Sequence, residues 1–181
     1  MENNENSDLR RQYVSFKKAI HEGNWGSFIG FLRDHPDAVK NKISSDGSTA
    51  LHIAVLAVRM KIVEELLNRI HSMQEPEKIL QIKDDDEVTV LGCSALVGNI
   101  EIATCIIKKC PTLLSIGNGT DKLIPVVFAL VYNSDGVEMA RYLYSETCKD
   151  DLMPDMGVKG VNGATFITQC IYAKAFGNNS I

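Results

Sequence analysis

The stretch from residue 45 to 69, SDGSTALHIAVLAVRMKIVEELLNR, decides the fold. It opens on a turn, "SDGS", in which Gly47 supplies the backbone freedom a tight reversal needs. A short segment follows whose Leu51 and Ala54 lie one helical turn apart. The polar break "VRMK" separates it from a second segment, in which Ile62, Val63, Leu66 and Leu67 fall on one face of a helix. This spacing predicts two helices joined by a tight break. Neither helix can hide its apolar stripe alone, so each pair calls for a neighbour.

The chain repeats this pattern. Residues 85–109, DDEVTVLGCSALVGNIEIATCIIKK, carry the same order of turn, helix, break and helix with few identical residues. Taking Thr49 as an anchor, equivalent starts stand at Val14, Thr89, Ile124 and Thr165, at intervals of 35, 40, 35 and 41 residues. The first helices carry Phe16 and Ala19, Leu91 and Ser94, and Val126 and Ala129. The second helices carry Ile102, Ala103, Ile106 and Ile107, then Met139, Ala140 and Leu143. Glycine marks the break in "EGNW" and "VGNI", and polar residues replace it in "VRMK" and "NSDG". Trp25, in register with Met60, Ile100 and Val137, is expected in the core of the first unit.

The predicted architecture is an all-α solenoid of about four and a half helix-turn-helix units, each burying its stripe against the next. Residues 1–9 are read as a disordered N-terminal tail, 10–176 as the repeat domain and 177–181 as a C-terminal tail. Lys17, Lys18 and Glu22 give the first unit the polar outer face that an array end needs. At the other end Phe166, Ile167, Ile171 and Phe176 lack a following helix, so self-association through that end is expected.

Composition narrows the function. The chain has 181 residues, 45% hydrophobic and 23% charged, with a formal charge of -4. No basic stripe is present, which argues against a nucleic-acid partner. No run approaches the roughly 18 apolar residues a membrane helix needs, and the polar start is no signal peptide, so direct membrane insertion is not expected. Five cysteines, an odd number, suit reduced thiols in the cytoplasm. Cys93, Cys105 and Cys170 fall on apolar stripes and read as core. Cys110 and Cys148 read as exposed.

No constellation for chemistry emerges. Cys105 and Cys110 lack the tight spacing of a zinc pair. "KDDDE" (83–87) lacks the glycine and terminal glutamate of a calcium loop. His52 has no carboxylate one turn away, and no G-x-S-x-G nucleophile motif exists. An enzyme is not expected, nor are catalytic residues, a cofactor or a metal.

"DGSTALHIA" resembles the ankyrin-repeat signature, in which a turn leads into T-P-L-H-x-A. The resemblance implies that Thr49 bonds to the start of its helix and that His52 braces neighbouring loop backbone. Elsewhere the match decays: Gly92, Val127 and Thr168 replace the histidine, and Pro125 alone keeps the proline. "AIHEGNW", "LRDHPDAV" and "KKCPTLLS" resemble the ankyrin region of plant proteins that end in a membrane-spanning PGG domain, the accelerated-cell-death-like group. This implies a non-catalytic protein-protein interaction module, a regulator or scaffold in plant immune or stress signalling. The alternative is the soluble regulatory ankyrin domain of a PGG-type membrane transporter or channel-like protein. The implied location is the cytoplasm, or the inner face of a membrane reached through a partner or a missing tail.

The resemblance also implies where a partner binds: on turn tips and one edge of the first helices, along a concave face. The turn positions are Ser48, Asp85, Asp86, Val88, Asp121 and Leu123. The helix positions are Leu56, Leu96, Val97, Val131, Tyr132 and Tyr172. An apolar strip bordered by acidic tips suits an apolar, basic-flanked segment of another protein. If instead the helices are rotated, these apolar residues belong to the core.

Overall fold

Turn, helix, break and helix recur along the computed structural model, which describes residues 2–149, 163–165, 167 and 168. Among the described residues every named element is helical, and none of the helices is long and apolar enough to cross a membrane. The chain divides into two compact units, residues 1–90 and 91–181.

The first unit holds α1 (Glu2–Glu22), α2 (Trp25–Asp34), α3 (Ala50–Leu56), α4 (Met60–His71) and α5 (Pro76–Leu80). α1 begins at Glu2, whereas the sequence reading placed a disordered tail through residue 9. The apolar stripe of this helix starts only near Phe16, so the polar turns before it carry no periodic signal. Phe16 is buried and stacks on Phe28 and Phe31, with ring centroids 5.8 and 4.1 Å away. Ile62, Val63, Leu66 and Leu67 are buried on α4, as their spacing requires. Trp25 is not a fully enclosed core residue. It is half-buried at the start of α2, against Phe28, with Lys61 Nζ 4.0 Å above its ring.

The second unit holds α6 (Val90–Val97), α7 (Ile100–Lys109), α8 (Pro125–Tyr132) and α9 (Gly136–Lys149), with Val90 at the boundary. Ile102, Ala103, Ile106 and Ile107 are buried on α7, and Met139, Ala140 and Leu143 on α9. Residues 163–165 and 167–168 are helical. Ile167 is exposed, while Phe166, Cys170, Ile171, Tyr172 and Phe176, like residues 177–181, lie outside the described residues.

Three of the breaks share one geometry. Gly23, Val58 and Gly98 take positive φ of 72°, 54° and 71°. The next residue's N–H then bonds back into the helix just ended: Asn24 to Ala19 O at 2.8 Å, Arg59 to Ala54 O at 2.9 Å, Asn99 to Ser94 O at 3.3 Å. This is the left-handed helix stop that satisfies carbonyls otherwise left without partners. Asn24 and Asn99 each start the following helix, accepting the N–H of Ser27 at 3.1 Å and of Ile102 at 2.9 Å. Arg59 has no capping side chain to offer. The fourth break is built differently, around Asn133 in extended backbone.

Each unit also contains the same entry to a first helix. After α2 and α7, a proline (Pro36 or Pro111) opens a 3-10 turn that seats Ala38 and Val39, or Leu113 and Leu114, in the core. The preceding Cys110 is drawn in with it, buried at 0% exposure beside the Thr112 hydroxyl, which corrects its reading as an exposed thiol. Cys93 is buried, Cys105 half-buried and Cys148 exposed.

A hairpin then reverses the chain before a first helix. Ile43 N–H bonds Ser48 O at 2.9 Å, Asp84 N–H bonds Val88 O at 3.0 Å, and Asn118 and Leu123 exchange both backbone bonds at 2.8 and 2.9 Å. In the first unit the two hairpins join, Asp85 N–H donating to Asp46 O at 3.0 Å. α5 takes the place of the 3-10 turn in the other repeat of the first unit, since Pro76 precedes Thr89 by the same 13 residues that separate Pro36 from Thr49 and Pro111 from Ile124. The longer interval of 40 residues from Thr49 to Thr89 comes from the longer α4 and the connection 72–75 before Pro76.

Candidate protein-binding surface

The first unit places acidic side chains at its hairpin tips. Asp46, Asp85, Asp86 and Glu87 are exposed, and Asp84 is half-buried. Each tip is held by its own aspartate. Asp46 accepts the Ser48 N–H at 3.1 Å, and Asp84 accepts those of Asp86 and Val88 at 3.1 and 2.8 Å. Burial works to raise the Asp46 pKa, but bonds from the Ser48 N–H and the Ser44 and Ser48 hydroxyls outweigh it and hold the carboxyl below its ordinary value. Lys42 reaches Asp85 at 3.0 Å and Lys83 reaches Glu87 at 3.3 Å, so carboxylates remain in excess at this end of α3.

At the other end of α3 the surface turns apolar. Leu56 is 45% exposed and Val58 46%. In the second unit Tyr132 is 51% exposed at the end of α8, tilted on Phe128 at 4.7 Å, with Val131 half-buried beside it. Leu96 and Val97, at the end of α6, are half-buried, and Asp121 is exposed at its hairpin tip. One first helix in each unit, α3 in the first and α8 in the second, therefore leaves an apolar side chain in solvent at its C-terminal end.

Three predicted contact residues are corrected. Ser48, Val88 and Leu123 have only 2, 6 and 3% exposure. Each is the hairpin residue that pairs backbone-to-backbone just before its helix, and that pairing turns the side chain inward. Tyr172 lies outside the described residues. Val58 was missed. Its signal is nevertheless in the sequence, since it stands where "EGNW" and "VGNI" carry glycine.

His52 is fully buried and belongs to the scaffold beneath this surface. Its Nδ1 accepts the Thr49 N–H at 3.3 Å and lies 2.8 Å from the Thr49 hydroxyl, while its Nε2 lies 3.2 Å from Val88 O. With Thr49 N–H fixed as a donor, the ring proton sits on Nε2 and the imidazole is neutral. Burial keeps it so, holding the pKa below the ordinary 6.5.

Two open clefts lie elsewhere in the first unit. One, of about 500 Å³, is lined by Lys40, Asn41, Gln74, Glu75, Lys78, Ile79 and Ile82. Its lysines are engaged by carboxylates, Lys40 by Asp37 at 2.6 Å and Lys78 by Glu75. The other, of about 510 Å³, is lined by Pro36, Glu65, Asn68, Arg69, Ser72 and Met73, and holds the Glu65–Arg69 ion pair. Among the described residues no group of three or more His, Cys, Asp or Glu side chains is placed to hold a metal ion.

Comparison with protein-family models and with curated proteins finds no match for this chain.

Proposed function

We propose that this chain is an ankyrin-type repeat protein that binds another protein without catalysis, as a regulator or scaffold. The observation that carries the reading is the exposure of Leu56 and Tyr132, each at the C-terminal end of a first helix, where most of the other large apolar side chains among the described residues are enclosed. Recurrent helix pairs, hairpin entries and the Thr49–His52 cap support the repeat-family part. The acidic tips favour a partner segment that brings basic residues along with its apolar ones. The plant signalling role rests on the likeness of "AIHEGNW", "LRDHPDAV" and "KKCPTLLS" to the PGG-type proteins.

The test is selection of a displayed random-peptide library on the immobilised chain, followed by binding of the enriched peptides to Leu56→Asp and Tyr132→Asp. Both side chains are exposed, so both variants are expected to keep their circular dichroism and thermal midpoint, as surface substitutions usually do. Peptides rich in Lys or Arg with an aliphatic or aromatic residue are expected to enrich, and at least one variant to lose them. Enrichment of no consensus, or equal binding by parent and both variants, sinks the proposal.

A further inference from the structure

The break between α3 and α4 holds a residue that local chemistry does not favour. Val58 has φ 54°, in the left-handed region where a Cβ crowds the following carbonyl and a β-branched side chain is worst placed. The two equivalent breaks meet the same geometry with Gly23 and Gly98. The valine gains little from burial in return, since it is 46% exposed. Two residues before it Leu56 is 45% exposed, and Ala57 between them is half-buried. Strained backbone that presents an apolar side chain to solvent is a feature typical of contact sites rather than of scaffolds.

We propose that Leu56 and Val58 together form the apolar anchor site of the first unit, taking an aliphatic residue of a partner peptide. This rests on the protein-binding reading above and names the chemistry of the partner. The peptide's orientation follows from charge. α3 has 7 residues, so its two ends are about 10 Å apart. The acidic tips Asp46 and Asp86 stand at its start and the apolar pair at its end, while Arg59, next to Val58, is engaged with His21 O at 2.8 Å. A segment that carries an aliphatic residue and, further along, a Lys or Arg matches both ends at once.

The experiment uses the full chain and a labelled synthetic copy of the peptide most enriched in the library selection. Val58→Gly relieves the strain and deletes the side chain, so its thermal midpoint is expected to rise while peptide affinity falls about tenfold, the scale of one lost aliphatic contact. Val58→Asn, which tolerates the same φ but is polar, is expected to lose affinity likewise, which separates side-chain loss from added flexibility. Asp46→Asn/Asp86→Asn is expected to weaken the same peptide more at low salt than at high. If Val58→Gly is no more stable than the parent, or if it and Val58→Asn bind the peptide as the parent does, the anchor is overturned while protein binding stands. If no peptide enriches, the binding reading itself fails and takes the anchor with it.

Discussion

The imidazole Nε2 of His52 donates to the carbonyl oxygen of Val88 at 3.2 Å, a bond that joins residues 36 apart in the chain. It ties the start of α3 to the second hairpin of the first unit. The opposite ring nitrogen closes the cap on Thr49, so one buried side chain holds two turns in register.

Removing that side chain leaves the Thr49 N–H and one acceptor site on Val88 without their partner, and leaves a void. His52→Ala is therefore expected to destabilise the protein by about 2–4 kcal/mol, read from denaturant midpoints at constant slope. Thr49→Ala alone is expected to cost about 1 kcal/mol, as other lost caps do. Because both act on one network, the double variant is expected to lose less than the sum. A full sum would mean that the cap and the ring bond act independently.

The same ring sets a pH dependence. Burial lowers its pKa below 6.5, against the smaller upward pull of the Val88 carbonyl, Asp84 and Asp46, and with Lys42 pulling downward. Below pH 6.5 the unfolded chain takes up a proton that the folded chain resists, so stability falls on acidification. Above 6.5 both states are neutral here and this contribution is flat. Denaturation at pH 7.5 and 5.5 is expected to show the parent weakened at the lower pH, and His52→Gln less so. Equal pH slopes for the two proteins would remove His52 as the cause.

Gly47 makes the hairpin pairing possible. Its φ is 72°, and a Cβ added there would fall 2.1 Å from Asp85 Oδ1 and 2.9 Å from Asp85 N. Gly47→Ala thus meets a conformational penalty of about 1–2 kcal/mol and pushes apart the two hairpins that the Asp85–Asp46 bond joins. Asp85→Ala in the same background is expected to restore only part of the loss, since the backbone nitrogen still stands in the way. The check is a thermal midpoint for the single and double variants.

Much of this arrangement was readable from residue spacing. The stripes of α4, α7 and α9 set their buried faces, because one apolar side of a helix has only one place to go. The turn at Gly47 and the glycine breaks at Gly23 and Gly98 were marked by the residue type that positive φ demands. What escaped was tertiary. Hairpin pairing turned Ser48, Val88 and Leu123 inward, and no alternation over one or two residues could signal that. Cys110 was buried by the proline turn that follows it. The lengthening before Pro76 showed only as a longer interval, since α5 itself keeps the register of the turns that open on Pro36 and Pro111. Val58 was legible only by aligning the breaks, because a lone valine carries no sign of its φ.

One contact recurs in the two units and gives a last prediction. In the first, Arg59 Nε donates to His21 O at 2.8 Å; in the second, Asn133 Nδ2 donates to Ala95 O at 3.1 Å. Both span 38 residues, and both satisfy a carbonyl in the last turn of a preceding first helix, which has no partner within its own helix. Asn133 also accepts the Asp135 N–H at 2.9 Å, so it fixes the fourth break as well. Asn133→Ala is expected to cost about 1–2 kcal/mol, the worth of one part-buried and one exposed hydrogen bond. Arg59→Ala is expected to cost less, near 0.5–1 kcal/mol, because that bond is exposed and water can replace the donor. Amide hydrogen exchange locates the effect. Faster exchange is expected at the ends of α6 and α8 in Asn133→Ala, and at the end of α1 in Arg59→Ala. Uniform acceleration across a unit would instead mean that these contacts matter only through global stability.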